Sequence, residues 1–139
     1  MRNSELPKDY IKRSVARLEA LKVLFQRECY ADVVRESQEI VELCGKALVR
    51  LAGGEPARVH DVSSQLTELL SRFPKALQEA VKNVGMASRE LRRDRELSFY
   101  GSEDLTPSEF YKKEDAEDAM RMAHETVTTS EAVLKATLP

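Results

Sequence analysis

The side chains best equipped for chemistry fall in three places. Arg95 stands in a charge-dense run that spans Arg89 to Glu96, and Tyr100 follows it with four residues between the two. Glu42 stands midway between Gln38 and Lys46 at steps of four, and His60-Asp61 follows a stretch containing Gly54 and Pro56. A guanidinium holds a phosphate through two parallel hydrogen bonds. An imidazole that titrates near neutral pH can pass a proton in phosphodiester cleavage. A phenol, with an ordinary pKa of about 10, is a far poorer base at pH 7, yet it can donate a hydrogen bond or stack on a base.

Arg95 is the most informative of these residues. The apolar stripe Leu77, Val81, Val84, Ser88, Leu91 continues by steps of 4 and 3 to Arg95 and Ser98, so an arginine lands where the helical period asks for a core residue. A buried charge needs a partner. Within the chain the candidates are Glu42 and the hydroxyl of Tyr100; outside it, the candidate is a phosphate. Periodicity does not choose between an internal ion pair and an anion site.

The remaining chemical patterns have plainer explanations. The default reading of the run RELRRDRE is a solvated helix face of alternating charge. Asp61 suits the first turn of a short helix, where it complements the dipole, with His60 a half-buried anchor. His124 borders an apolar stripe, and Lys46 is expected to carry its charge from a core-flanking position to the surface. Neither His60 nor His124 has a Glu three residues before it, which removes a di-metal bundle centre. Cys29, Cys44, His60 and His124 match no closed zinc spacing, so no metal and no cofactor is implied. Gly53-Gly54 lacks the Lys-Ser/Thr of a phosphate loop and reads as a helix stop.

The elements that must position these residues are helical. With 5 Gly and 5 Pro in 139 residues, long stretches run unbroken, and no tract has the turn density of a sandwich or barrel. Charged residues at 33 % and hydrophobic ones at 42 % suit a folded chain, and four Phe, four Tyr and no Trp leave the core to aliphatic side chains. The periodicity predicts helices over Pro7 to Gln26 (stripe Ile11, Val15, Leu18, Leu21, Phe25), from after a break near Glu28–Ala31 to the Gly53-Gly54 stop (stripe Val34, Ser37, Val41, Cys44, Leu48, Leu51), over His60 to Arg72, from Lys75 to Phe99, and from Lys113 to Lys135. Gly101 closes the fourth, and residues 101–112 form a loop in which Thr106-Pro107-Ser108-Glu109 can cap one helical turn. The expectation is one all-α domain over residues 1–139, with its core at about 7–135: an up-and-down four-helix bundle with one additional short helix.

The 22 Lys+Arg against 24 Asp+Glu give a formal net charge of −2, which argues against coating nucleic acid wholesale and leaves room for a local basic patch. No apolar run reaches the ~18 residues of a membrane span, and the first residues carry no hydrophobic signal region. The two cysteines read as reduced thiols, and a cytoplasmic, non-membrane protein is expected.

Together these residues resemble the HEPN domain. Gln38-x-x-x-Glu42-x-x-x-Lys46-Ala47-Leu48 and Gly54-x-Pro56-x-x-x-His60-Asp61 are similar to that family's second helix and the turn after it. Arg95-x-x-Ser98-x-Tyr100-Gly101 resembles the segment closing its fourth helix, and Tyr111, Glu114-Asp115-Ala116 and Ala119 to Ala123 resemble its last helix. The similarity runs from Asp9 to about Val133. It implies a helical bundle that pairs as a homodimer and is often encoded beside a minimal nucleotidyltransferase, with which it forms a toxin–antitoxin pair. Active members are metal-independent endoribonucleases whose motif is an Arg followed four to six residues later by a His, assembled across the dimer. Carried onto this chain the Arg is Arg95, but Tyr100 stands where the His would, and no His occurs from position 61 to 123. The resemblance therefore implies a protein that binds nucleotide or RNA through Arg95 and Tyr100, with Glu42, His60 and Asp61 as further candidates and with weak or absent catalysis. An active ribonuclease with a substitute for the His, and a dimeric structural adapter without ligand, are the alternatives.

Overall fold

A computed structural model describes residues 5–58, 61–94 and 100–137. Among them are six α-helices and no strand: α1 (Glu5–Gln26), α2 (Tyr30–Leu51), α3 (Ser63–Leu69), α4 (Gln78–Arg93), α5 (Pro107–Phe110) and α6 (Lys113–Thr137). Single 3₁₀ turns at Leu70–Arg72 and Lys75–Leu77 flank Pro74 and bend the chain from α3 into α4. The all-α class expected from the sequence is what the chain adopts. No helix among the described residues is long and apolar enough to cross a membrane.

The bundle is organised around α2. Val33, Ile40, Cys44, Ala47, Leu48 and Val49 are all fully buried, and buried positions occupy most of the helix circumference. A helix apolar on most of its sides must be wrapped by others, and α1, α4 and α6 wrap it. Near the start of α2, Val34 and Val41 share a cluster with Ala87 and Leu91 from late α4 and Ala119 from early α6. Near its end, Leu48 and Val49 meet Val81 and Val84 from early α4 and Val133 from late α6. Thus α4 runs against α2 and α6 runs with it. Arg17–Glu36 at 2.7 Å, and Phe25–Tyr30 with ring centroids 5.6 Å apart, set α1 against α2 as well. Each fully buried aliphatic side chain contributes roughly 1.5–3 kcal/mol relative to exposure.

The signals that end these helices are local. The α1–α2 turn places Glu28 at φ 60, and the Cys29 N–H returns to the Leu24 carbonyl at 2.9 Å. After α2, Gly53 takes φ 86 and the Gly54 N–H reaches the Val49 carbonyl, the left-handed helix stop expected of this glycine pair. Thr106 and Glu109 exchange side-chain and backbone hydrogen bonds in a full capping box at the head of α5.

Three expectations change. Val15 is 41 % exposed, and Ser14 takes the buried position beside it, its hydroxyl donating to the Tyr10 carbonyl at 2.8 Å. The third helix begins at Ser63, three residues after the expected His60, which itself lies outside the described residues. The stripe of α4 is as expected, with Val81, Val84, Ser88 and Leu91 buried, but α4 ends at Arg93 with Asp94 as its cap, well short of Phe99. Arg95, Ser98 and Phe99 lie outside the described residues.

Candidate functional site

The chain is tied down on both sides of the Arg95–Tyr100 segment. Before it, the Tyr111 hydroxyl donates to Asp94 Oδ1 at 2.9 Å. Tyr111 is buried, and burial first, then its bond to the Asp94 carboxylate, pushes the phenol well above its usual range. It therefore stays a protonated donor, and it anchors Asp94, the C-cap of α4, against the α5–α6 junction. After the segment, Gly101 adopts φ 81 in a turn where a Cβ would meet the Leu105 carbonyl at 2.7 Å and Pro107 Cδ at 2.8 Å, so glycine is required there. The Ser102 N–H donates to the Leu105 carbonyl at 3.0 Å and closes this turn against α5. Tyr100, just before it, is 75 % exposed.

Glu42 belongs to a polar row along one side of α2, in which Gln38 is buried and Glu42 and Lys46 are half-buried. It accepts from Gln38 Nε2 at 3.0 Å, and Lys46 Nζ lies 3.3 Å from its other oxygen. One turn earlier, Arg35 donates to Glu39 at 2.6 Å and to Gln38 Oε1 at 3.2 Å. The steps of four seen in the sequence are thus a chain of side chains bonded along one helix. Lys46, expected to point to the surface, keeps only 23 % of its side chain exposed and turns to Glu42.

Asp61 sits where α3 wedges between α2 and α4. Its carboxylate accepts the Ser63 N–H at 2.8 Å and the Ser88 hydroxyl at 3.3 Å, while Ser88 Oγ accepts the buried Val62 N–H at 3.0 Å. Burial alone would push this carboxyl up; the bonds from Ser63 and Ser88 and the charge of Arg89 outweigh it and hold Asp61 below the usual carboxylate range. Its hydrogen-bond partners do not include Glu42 or Tyr100. Two glycines make room for the wedge: Gly45 of α2 lies directly under Val62, and Gly85 of α4 under Ser63. His124 is exposed at the rim of an open cleft of about 630 Å³ between α4 and α6, with Met86, Glu90, Arg121 and Thr129.

One group of residues was not singled out by the sequence pattern. Lys82, Arg89 and Arg93 of α4 line a second cleft, about 420 Å³, whose opposite wall is Ser63 and Thr67 of α3. Their spacing of 7 and 4 puts them on one helix face. That signal was present, but the wall that turns a face into a cleft comes from α3, whose docking on α4 no local pattern encodes.

Comparison with known proteins gives one family. The HEPN domain matches residues 7–133. No curated protein and no solved structure gives a significant match. The match spans nearly the whole chain and takes in all four long helices of the bundle and the Arg95–Tyr100 segment held between Asp94 and Gly101, so the chain belongs to the HEPN domain family.

Proposed function

We propose that this HEPN protein binds a nucleotide or RNA at Arg95 and Tyr100, has weak or no catalysis of its own, and acts as a homodimer beside a minimal nucleotidyltransferase in a toxin–antitoxin-like pair. The observation that carries the reading is Tyr100. It stands at the position of the family's histidine, it is three-quarters exposed, and the turn at Gly101 fixes the chain directly after it. A phenol there offers a hydrogen bond and a stacking face to a ligand, but not the near-neutral proton transfer that an imidazole brings to phosphodiester cleavage. Arg95, carried over from the sequence pattern, supplies the phosphate clamp.

The test is a thermal-shift titration of wild type and Arg95→Ala with ATP, other nucleotides and a short single-stranded RNA, together with a cleavage assay in chelator. Ligand at a hundredfold excess over its dissociation constant stabilises the folded state by about 2.7 kcal/mol. The expected result is a rise in Tm for wild type, none for Arg95→Ala, and no cleavage. Chelator-resistant cleavage that Arg95→Ala abolishes would replace this reading with the active ribonuclease. Absence of any shift in wild type would replace it with the ligand-free adapter.

A further inference from the structure

We infer that the cleft between α3 and α4 is a phosphodiester track, on which the backbone of a single-stranded RNA lies as it approaches the Arg95–Tyr100 segment. The inference rests on the RNA reading above and adds a second, separate surface to it.

Lys82, Arg89 and Arg93 line the cleft, and none of the three makes a close ion pair among the described residues, although the charge of Arg89 also acts on Asp61. Other described cations such as Lys12, Lys75 and Lys135 make no ion pair among the described residues either, and what sets these three apart is that they share one face of α4 over one cleft. The facing wall is Ser63 and Thr67 of α3, whose hydroxyls serve Asp61 and the Ser63 carbonyl, with Gly85 packed beneath Ser63. Met86 is 63 % exposed at the same cleft, an apolar surface on which a base can rest. From Lys82 to Arg93 the cations extend roughly 17 Å along the axis at about 1.5 Å per residue. That reach suits several successive phosphates better than one mononucleotide. The track also has a direction, because Arg93 is the last residue of α4, next to the Asp94 that Tyr111 anchors. Glu90 lines the cleft too and opposes an anion; its presence sets a counter-test.

Contacts of this kind act through charge and carry no base information. Each phosphate neutralised on a single strand steepens the salt dependence by about 0.7 in log K against log salt. Three cations are thus worth a slope of about 2, or about 20-fold in affinity between 50 and 200 mM salt. The experiment measures binding of a fluorescent single-stranded RNA across that range. The variants are Lys82→Gln/Arg89→Gln/Arg93→Gln, the charge-keeping Lys82→Arg/Arg89→Lys/Arg93→Lys, Arg95→Ala, and a control with the same change in net charge on α1, Lys12→Gln/Arg13→Gln/Lys22→Gln. The pair Lys82→Gln/Arg93→Gln, which leaves Arg89 beside Asp61, serves should the triple variant fail to fold. The expected result is a slope about 2 shallower in the neutralised triple variant (about 1.4 in the pair), retention of slope in the charge-keeping and α1 sets, and tighter binding in Glu90→Gln. Arg95→Ala, one cation, changes the slope by no more than about 0.7.

A wild-type slope in the neutralised variant overturns the inference, as does an equal loss in the α1 control. Either outcome leaves the Arg95 site standing if nucleotide shifts still depend on Arg95. Loss of the track's slope together with nucleotide shifts indifferent to Arg95 would keep the track and remove that site. Wild type that binds no RNA even at 50 mM salt overturns both.

Discussion

Ser88 looks like an interruption in an apolar stripe, and its hydroxyl explains why it is there. It accepts the Val62 N–H and donates to Asp61, so one small polar group satisfies a buried donor and ties the loop before α3 to α4. Ser88→Ala leaves that N–H without a partner and should cost about 1–3 kcal/mol in a denaturant melt. Asp61→Asn keeps an acceptor for the Ser63 N–H but loses the charge, and should cost about 0.5–1 kcal/mol at pH 7 after solvent screening. Because the folded carboxyl titrates lower than the unfolded one, its contribution is complete above about pH 3.9 and is lost as pH falls through the lower folded value. Wild type and Asp61→Asn should therefore converge in stability below about pH 4. A gap that widened there would mean that burial, not the hydrogen bonds, dominates at Asp61. The sequence pattern reads Asp61 as a first-turn acid, whereas it stands before Val62, the N-cap of α3, and accepts the Ser63 N–H from there. Ser88 as its partner was not legible, because the two are distant in the chain and meet only once α3 docks.

At the scale of elements, the glycine in α2 decides how closely α3 can approach. An added Cβ at Gly45 would collide with a methyl of Val62, which is fully buried and stiff about its first side-chain torsion. Helix propensity alone favours Ala over Gly by about 1 kcal/mol, so the sign of the effect is diagnostic. Gly45→Ala should destabilise by about 1–3 kcal/mol as an overpacked site, and adding Val62→Ala should make the alanine at 45 less harmful than in the wild-type background. Stabilisation by Gly45→Ala alone would mean that α3 shifts freely over α2. Much of the element plan was legible: the α2 stripe, the Gly53 stop and the Thr106–Glu109 box all follow from short-range chemistry. Val15 was misread because α1 buries a narrow strip against α2 and α6, and a small Ser14 fits there better than the next apolar residue. The end of α4 was misread because an unbroken helical period continues past Arg93, while the Tyr111–Asp94 bond that marks the boundary comes from a distant part of the chain. For the same reason the cations of α4 were readable as a face but not as a cleft.

For the molecule as a whole, the two thiols report separately on surface and core. Cys29 sits half-buried at the α1–α2 turn, whereas Cys44 is fully buried, with Ser14 of α1 and Ser130 of α6 beside it where three helices meet. Burial, the largest influence, pushes the Cys44 thiol up, so it is both covered and short of the reactive thiolate. A soluble thiol reagent should label Cys29 promptly and Cys44 only when the bundle opens. If closing is faster than labelling, the Cys44 rate tracks the free energy of opening. A variant such as Ser88→Ala, destabilised by about 2 kcal/mol, should then speed it about 30-fold while leaving Cys29 unchanged. Ser88 contacts neither cysteine and lies on α4, on the far side of α2 from α1. Coupling between them requires α1, α2, α4 and α6 to open as one unit, as expected of a helix bundle whose axis is buried on most sides. An unchanged Cys44 rate in Ser88→Ala would mean instead that α1 or α6 lifts away alone, and that stability is divided between the two ends of the bundle.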